Sequence, residues 1–199
     1  MSLDPRYLRS RQRLRAAVLE LAAGRSAESI TVAELCRAAG VTRDTFYRHA
    51  ESPVALLVAA LGERFEAAAV LHQDPDGGVS AEGGFPRAER AVLEHVLQHR
   101  DVYRAAIDPV LLAPLRSALE SSIVEVLVAH LRRHPGTLPV GVDADDDEAL
   151  ALVAGYAAAG TVGAIERWVQ GPEPDVERGV RLILAASPSF WFRAHEGTV

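Results

Sequence analysis

Lysine is absent from this 199-residue chain, and cysteine is almost absent. All 21 residues counted as Lys or Arg are Arg, and the single cysteine, Cys36, excludes an intrachain disulfide and argues against a structural zinc site. Aromatic residues make up only 6% of the chain, and isoleucine and threonine are few. With abundant Ala, Leu and Arg, this composition predicts an all-α protein.

Long hydrophobic runs are missing as well. We find no uninterrupted apolar run of transmembrane length, and the basic residues 1–15 are not followed by a hydrophobic stretch. We therefore expect no membrane association and a cytoplasmic protein. No arrangement of a nucleophile with a base, and no convincing set of metal ligands, is evident, so we expect no catalytic residue, no metal and no cofactor.

The charge is spread unevenly. Residues 1–50 hold nine Arg and five acidic residues, or +4, whereas residues 51–199 hold twelve Arg and twenty-two acidic residues, or −10. A basic head on an acidic body can bind phosphate at one end while the other end keeps the protein soluble. The alternative is that a first helix simply happens to be rich in Arg, and charge alone does not decide between the two.

The strongest local pattern begins at Thr31. Thr31 is a good N-cap, and Glu34 three residues later completes a capping box. The next apolar residues recur with helical spacing: Val32, Leu35, Cys36 and Ala39. Gly40 ends this short helix, and Thr42 caps a second one in which Phe46 points inward. Two short helices joined by a Gly-containing turn form a helix-turn-helix, whose second helix can enter the major groove of DNA.

The outward side chains of the second helix have chemistry that suits DNA. Arg43 can bond a guanine edge or pair with a phosphate. Asp44 can accept from a cytosine amine, or it can simply stabilise the helix N-terminus. Thr45 offers both a hydroxyl and a methyl group that can meet a thymine methyl. The residues expected to reach the DNA backbone follow: Tyr47, Arg48 and His49.

Residues 31–49 resemble the N-terminal signature of the tetracycline-repressor (TetR) family almost position for position. The match continues into the fourth helix through Ser52, Ala55, Leu56 and Leu57, and covers roughly residues 10–60. The resemblance implies a repressor that binds a palindromic operator as a homodimer and is released by a small-molecule effector. By position, family phosphate contacts fall on Thr31, Thr42, Tyr47 and His49, and base-reading positions fall on Arg43, Asp44 and Thr45.

Two positions depart from the family pattern. Ala50 stands where the family usually has Phe, which packs the recognition helix against the fourth helix. Pro53 stands where it usually has Lys, which contacts a phosphate. We expect weaker binding or a shifted docking angle, although Arg48 and the arginines of the first helix can replace the charge. The alternative function is a ligand-binding dimer with a degenerate DNA-binding head.

Periodicity predicts further helices at about 53–71, 85–100, 101–107, 110–134, 143–170 and 173–187, after a first helix at about 5–24, and a loop at 73–84. We therefore predict an all-α fold with a helix-turn-helix DNA-binding domain at 1–52 and a helical effector-binding and dimerisation domain at 53–199. Small residues in the helix at 143–170 indicate close packing, and the resemblance favours a four-helix bundle between subunits. The expected interface residues are Gly155, Ala159, Gly163, Trp168, Val180, Ile183 and Leu184.

Large or polar side chains on otherwise apolar helices are candidates to line an effector pocket. These are Phe65, Phe85, His95, His99, Tyr103, Leu119, Ile123 and Tyr156. Because no charged residue falls inside the apolar stripes, we expect a mostly apolar or aromatic effector.

Three features have competing interpretations. Cys36 is a small core residue or a redox-sensing thiol. His95 and His99, one helical turn apart, line a pocket, face solvent or hold a metal. The acidic residues at 143–148 favour a helix N-terminus over a cation site. A last segment, residues 190–192, is expected to pack on the core.

Overall fold

The computed structural model of the chain describes residues 4–71, 84–105 and 109–192, and these ranges contain nine α-helices and no strand. This confirms the predicted all-α class. The helices are α1 (Pro5–Ala22), α2 (Val32–Ala39), α3 (Arg43–Tyr47), α4 (Pro53–Leu71), α5 (Gly84–Gln98), α6 (Arg100–Ala105), α7 (Pro109–Arg133), α8 (Asp147–Gln170) and α9 (Val176–Ala186). The predicted loop at 73–84 lies outside the described residues except for Gly84, which begins α5.

Packing divides the chain into two compact units. The first contains the residues up to Glu63 together with 99–118, and the second contains 64–98 together with the residues from Leu119 onward. The boundary expected at 52/53 therefore falls within the first unit. The beginning of α4 belongs to the first unit because the carboxylate of Glu63, in α4, pairs with Arg11 and Arg15 of α1.

The core of the first unit forms where α1 packs against α2, and α2 against α3. Its fully buried side chains come from four helices: Leu14, Val18, Leu35, Phe46, Leu57 and Leu61. The α1 members recur at helical spacing, so one face of α1 is apolar while its arginines lie mostly on the other faces. This core fixes α3, a helix of only five residues, on a rigid base.

The core of the second unit is built from α7, α8 and the segment after α9. Its buried residues are Leu127, Leu131, Leu150, Ala154 and Trp191. Phe85 of α5 and Phe190 pack against this cluster. The expectation that the segment after Pro188 packs on the core is thus confirmed for Phe190 and Trp191.

Helix α8 has two contrasting faces. One face is buried and consists of Leu150, Ala154, Ala158, Val162, Ile165 and Val169. By length and composition α8 could also cross a membrane, with a mean hydropathy of 1.5 over 18 residues, of which 28% are buried. This qualifies the sequence-based statement that no such run exists, because no charge interrupts residues 149–165. A helix that packs in a soluble core or against a partner passes the same test.

Candidate nucleic-acid interface

Helix α2 begins with the capping box that the sequence predicts. The Thr31 hydroxyl accepts a hydrogen bond from the Glu34 backbone N–H at 3.3 Å, and Glu34 accepts from the Thr31 backbone N–H at 3.1 Å. Arg25 lies 3.3 Å from the other Glu34 oxygen. Backbone and hydroxyl hydrogen bonds from Thr31, and then the Arg25 contact, lower the pKa of Glu34 to about 2. The start of α2 is therefore fixed by residues within one turn and by Arg25.

The turn between α2 and α3 depends on Gly40. Its φ of 61° is in the left-handed region, where a residue without a Cβ is favoured. The Val41 N–H donates to the Cys36 carbonyl at 3.0 Å and closes the end of α2. The guanidinium of Arg13 lies beside this turn, 3.7 Å from the position that a Cβ on Gly40 would take.

Helix α3 is held at both ends by its own side chains. The Thr42 hydroxyl accepts from the Thr45 N–H at 3.2 Å and caps the first turn. Arg48 donates to the Thr45 hydroxyl at 3.1 Å. Phe46 is fully buried, with a relative exposure of 0%, and anchors the helix from beneath. The inward Phe46 and the Thr42 cap confirm the two local predictions on which the motif depends.

The remaining side chains of this segment face outward. Arg43 and Asp44 are exposed, and Tyr47 is 59% exposed with its ring edge-on to Phe46. Thr31, Thr42 and Arg48 are also exposed, whereas Thr45 is half-buried. One short helix thus presents a cation, a carboxylate, hydroxyls and a phenol to solvent, which is the set of groups that base edges and phosphates can bind.

His49 is placed differently from the prediction. Its Nε2 lies 2.8 Å from the Ser10 hydroxyl, and its ring stacks on Tyr7 with centroids 4.2 Å apart. Its Nδ1 is shut off from solvent and has no hydrogen-bond partner among the described residues. Burial, followed by the charges of Arg48 and Arg11, lowers the pKa of His49. The imidazole therefore braces α1 against the end of α3, and its contact with a phosphate stays a prediction.

The arginines of α1 also need a correction. Arg11 and Arg15 were expected to help replace missing positive charge, but both pair with Glu63. Arg13 is exposed beside the turn at Gly40 and is the better candidate for a phosphate contact. The sequence did not distinguish Arg13 from the other arginines of α1, because the turn that its side chain approaches is 27 residues away.

The two departures at Ala50 and Pro53 leave the local structure intact. Ala50 is half-buried, and Phe46 supplies the aromatic anchor from within α3 itself. Pro53 is the first residue of α4, where a missing N–H is tolerated, and Ser52 caps this helix by accepting from the Ala55 N–H at 3.1 Å.

The expected dimer residues separate into two groups. Val180 and Ile183 are 4% and 7% exposed within the protomer, where α9 packs against α5, so they are not available as surface contacts. The Trp168 indole donates to the Asp175 carbonyl at 3.0 Å and lies against Gly179, so it is also engaged within the protomer. Ala159 is exposed, and Gly155, Gly163 and Leu184 are partly exposed.

The larger exposed apolar residues of α8 and α9 were not among the predicted interface residues, and one of them, Tyr156, was predicted to line the pocket. Leu152 and Tyr156 on α8 are each 76% exposed, and Leu182 on α9 is 58% exposed. Leu152, Tyr156, Ala159 and Gly163 follow one another at helical spacing along one side of α8, opposite its buried face. The helical period of α8 was evident in the sequence. Because many of its residues are small and apolar, that period did not show that α8 has two apolar faces.

The expected pocket residues are divided between the two compact units. Tyr156 is exposed, which removes it from any interior site of the protomer. His99 and Tyr103 belong to the first unit, and the other candidates belong to the second. Phe65, Tyr103 and Leu119 are buried, and His95 and His99 are half-buried. Phe85 and Ile123 pack on the core of the second unit.

The sequence left two interpretations open for Cys36 and for the acidic residues at 143–148, and the structure favours one in each case. Cys36 is 6% exposed, and burial raises the pKa of its thiol, which fits a core residue. Asp146 caps α8 by accepting from the Ala149 N–H at 3.0 Å, and the acidic stretch therefore serves a helix N-terminus. Within the described residues, no group of three or more His, Cys, Asp or Glu side chains is arranged to hold a metal ion.

Comparison with known proteins finds similarity only among solved structures. No family model matches the chain, and no curated protein matches it. The dihydroxyacetone kinase operon activator DhaS aligns over 88% of this chain and 92% of its own, with a TM-score of 0.61 and 14% identity. The TetR-family repressor AlkX from Dietzia sp. strain DQ12-45-1b, implicated in biodegradation of n-alkanes, aligns over 90% and 94%, with a TM-score of 0.56 and 19% identity.

A TetR-family transcriptional regulator from Streptomyces coelicolor aligns over 87% of this chain and 78% of its own, with a TM-score of 0.53 and 22% identity. These alignments span both compact units, whereas the sequence resemblance covered only the first helices. All three structures are described as regulators of transcription. The chain therefore has the fold of the TetR-family transcriptional regulators.

Proposed function

We propose that this protein is a DNA-binding transcriptional regulator that recognises a palindromic operator as a homodimer and responds to a small-molecule effector. The observation that carries the proposal is the construction of α3. Phe46 is fully buried while Arg43, Asp44, Tyr47 and Arg48 face solvent on a helix that is capped at its start. Such a helix can enter a major groove without rearrangement.

The outward residues divide by chemistry into two roles. Arg43, Asp44 and Thr45 are proposed to read base edges, because they occupy the first turn of α3. Thr31, Thr42, Tyr47 and Arg48 are proposed to hold phosphates, with Arg13 added from the structure. The ion pairs of Arg11 and Arg15 with Glu63 make these two arginines structural, so the number of phosphate contacts is smaller than the Arg content of the head suggests.

The homodimer is proposed to form through the exposed side of α8 and the adjoining part of α9. Leu152, Tyr156 and Leu182 would supply the large contacts. Gly155 and Gly160 have no heavy atom within 4 Å of an added Cβ, so close approach of a second helix is sterically open there. An apolar side on a long helix is unfavourable in water and is a common form of subunit interface.

The fold does not say whether the protein represses or activates transcription, because one similar structure is described as an activator and another as a repressor. Repression relieved by an effector is our proposal, in line with the sequence resemblance. Binding of effector and operator would be reciprocally linked, so an effector that weakens operator binding is itself bound less tightly by the operator complex. A protein with this function acts in the cytoplasm.

The test is a fluorescence-anisotropy titration of the full chain against the promoter beside its own gene. We expect saturable binding that weakens as salt rises and that exceeds binding to random DNA by about 10³-fold or more. Binding to the promoter no tighter than to random DNA would contradict the proposal. That outcome would instead favour a ligand-binding dimer whose DNA-binding head is degenerate.

A further inference from the structure

Three polar side-chain atoms in the second unit are shut off from solvent without a hydrogen-bond partner among the residues that the structure describes. They are Oε1 of Glu89, Nε2 of His130 and Nε1 of Trp191. Burying a polar group without a partner is unfavourable, and native proteins contain few such groups. Three of them in one unit therefore require an explanation.

Two of these atoms belong to one aromatic cluster. The Phe85 ring lies 4.7 Å from the His130 ring and 6.1 Å from the Trp191 ring, measured between centroids. The His130 and Trp191 rings are themselves 6.3 Å apart, and the His134 ring lies 4.7 Å from the His130 ring. The indole N–H and the imidazole nitrogen thus occupy one small region beside Phe85.

Glu89 extends this region along α5. It follows Phe85 by four residues, so the two side chains lie on the same face of the helix, one turn apart. Val92, Leu93 and Val96 on that face are all at most 4% exposed. The residue as a whole is half-buried, but its Oε1 has no access to solvent. A carboxyl group therefore lies in the middle of an apolar stripe. This corrects the prediction that no charged residue falls inside the apolar stripes.

The electrostatic state of the cluster favours a positively charged ligand. Burial, followed by the charges of His134 and Arg133, lowers the pKa of His130 to about 4, so this imidazole is neutral at neutral pH. Burial raises the pKa of Glu89 to about 7. A cation that pairs with the carboxylate stabilises its charged form and so offsets the effect of burial, and aromatic faces add cation–π attraction.

We propose that Glu89, His130 and Trp191 form the polar end of an effector site in the second unit, and that the effector is a protonated amine with an apolar or aromatic body. The ammonium group donates to Glu89, the body lies against Phe85, and the Trp191 N–H donates to an oxygen or nitrogen of the ligand. The regulatory meaning of this site rests on the proposed function. It adds a charged end to the mostly apolar or aromatic effector that the sequence predicts, because a carboxyl group does fall within an apolar stripe.

The test uses three probes that share one body: 2-(4-methoxyphenyl)ethylamine, 2-(4-methoxyphenyl)ethanol and 3-(4-methoxyphenyl)propionic acid. Each is titrated calorimetrically into the full chain at pH 8, about one unit above the Glu89 pKa. We expect the amine to bind about tenfold more tightly than the alcohol, and the acid most weakly. In Glu89→Gln this preference falls to about threefold or less, whereas Glu94→Gln, at an exposed position of the same helix, leaves it unchanged.

A second measurement needs no variant. In the wild-type protein the amine-to-alcohol affinity ratio rises between pH 6 and pH 8 as Glu89 ionises. His134 and Arg133 contribute charge beside His130, so the pH series is repeated with Glu89→Gln to isolate the contribution of the Glu89 carboxyl group. Equal binding of amine and alcohol, or an amine preference that survives in Glu89→Gln, would overturn the inference.

These titrations contain no DNA, so the two proposals fail separately. A protein that binds its operator but shows no preference for the amine loses only the effector site. A protein that prefers the amine through Glu89 but binds its promoter no better than random DNA loses only the regulatory function.

Discussion

Two single residues, Glu89 and His130, give the unfolding free energy opposite dependences on pH. The pKa of Glu89 is raised from 4.5 to about 7, so its contribution to stability is fully present below pH 4.5 and is lost as pH rises through 7. The pKa of His130 is lowered from 6.5 to about 4, so its contribution is present above pH 6.5 and is lost as pH falls through 4. The two effects overlap, and the wild-type curve alone does not separate them.

Glu89→Gln isolates the carboxyl group. We predict that the variant gains about 2–3 kcal/mol in unfolding free energy relative to wild type between pH 5 and pH 8, because the amide has no charged form to desolvate. Urea unfolding of both proteins at the two pH values measures this difference. Glu94→Gln serves as the matched control, and parallel pH profiles for Glu89→Gln and wild type would show that Glu89 is not buried as described.

The residues that sequence analysis misplaced are those whose partners lie far along the chain. The role of His49 depends on Ser10, 39 residues away, and that of Arg15 depends on Glu63, 48 residues away. Residue type and helical period indicated that both side chains could meet phosphate. Only the packing of α1 in the first unit shows that they are already engaged.

At the scale of elements, the helix-turn-helix was predictable because its determinants are local. Each cap joins residues three positions apart, as in Thr31 with Glu34 and Thr42 with Thr45. Gly40 ends α2 through its own backbone conformation. Such features depend little on the rest of the fold, so a sequence pattern is sufficient to identify them.

Thr42 provides a test of the α3 cap. We predict that Thr42→Ala lowers the unfolding free energy by about 1 kcal/mol, because the Thr45 N–H loses its partner. Thr42→Ser keeps the hydroxyl and should retain most of the stability. Chemical denaturation compares the two variants, and equal destabilisation by Ala and Ser would mean that the methyl group rather than the cap matters.

Helices α8 and α9 show which feature of a helix the helical period of its sequence does not predict. Periodicity identifies the faces of an amphipathic helix, but it does not say which face meets the protomer's own core. For α9 the structure turns Val180 and Ile183 inward and Leu182 outward. For α8 both faces are apolar, so the buried one became known only from its packing.

At the scale of the whole molecule, the proposed dimer gives a direct prediction for Tyr156. Tyr156→Arg places a charge on the exposed side of α8 and should shift the protein from dimer to monomer at micromolar concentration, since a charge buried at an interface without a partner is strongly unfavourable. Light scattering coupled to size-exclusion chromatography measures the mass. Val140→Arg is the control, because Val140 is 94% exposed and lies outside α8 and α9.

A dimer that persists in Tyr156→Arg would place the interface elsewhere. If dimerisation is required for operator binding, the monomeric variant should also lose operator affinity, since each protomer would then contact only one half-site. The control variant should keep both its mass and its affinity. The all-α class and the N-terminal motif came from composition and local pattern, whereas such an assembly depends on surfaces that only the folded protomer defines.

The proposed function depends most on the side chains that face outward from α3. Operator selection from a randomised DNA library, carried out with wild type, Arg43→Ala, Tyr47→Ala and the control Arg133→Ala, tests it directly. We predict that Arg43→Ala relaxes the selected sequence at one position in each half-site, with a loss of about 1–3 kcal/mol there. Tyr47→Ala should weaken all sequences alike, and Arg133→Ala should change nothing. An unchanged selected sequence in Arg43→Ala would contradict the role assigned to α3.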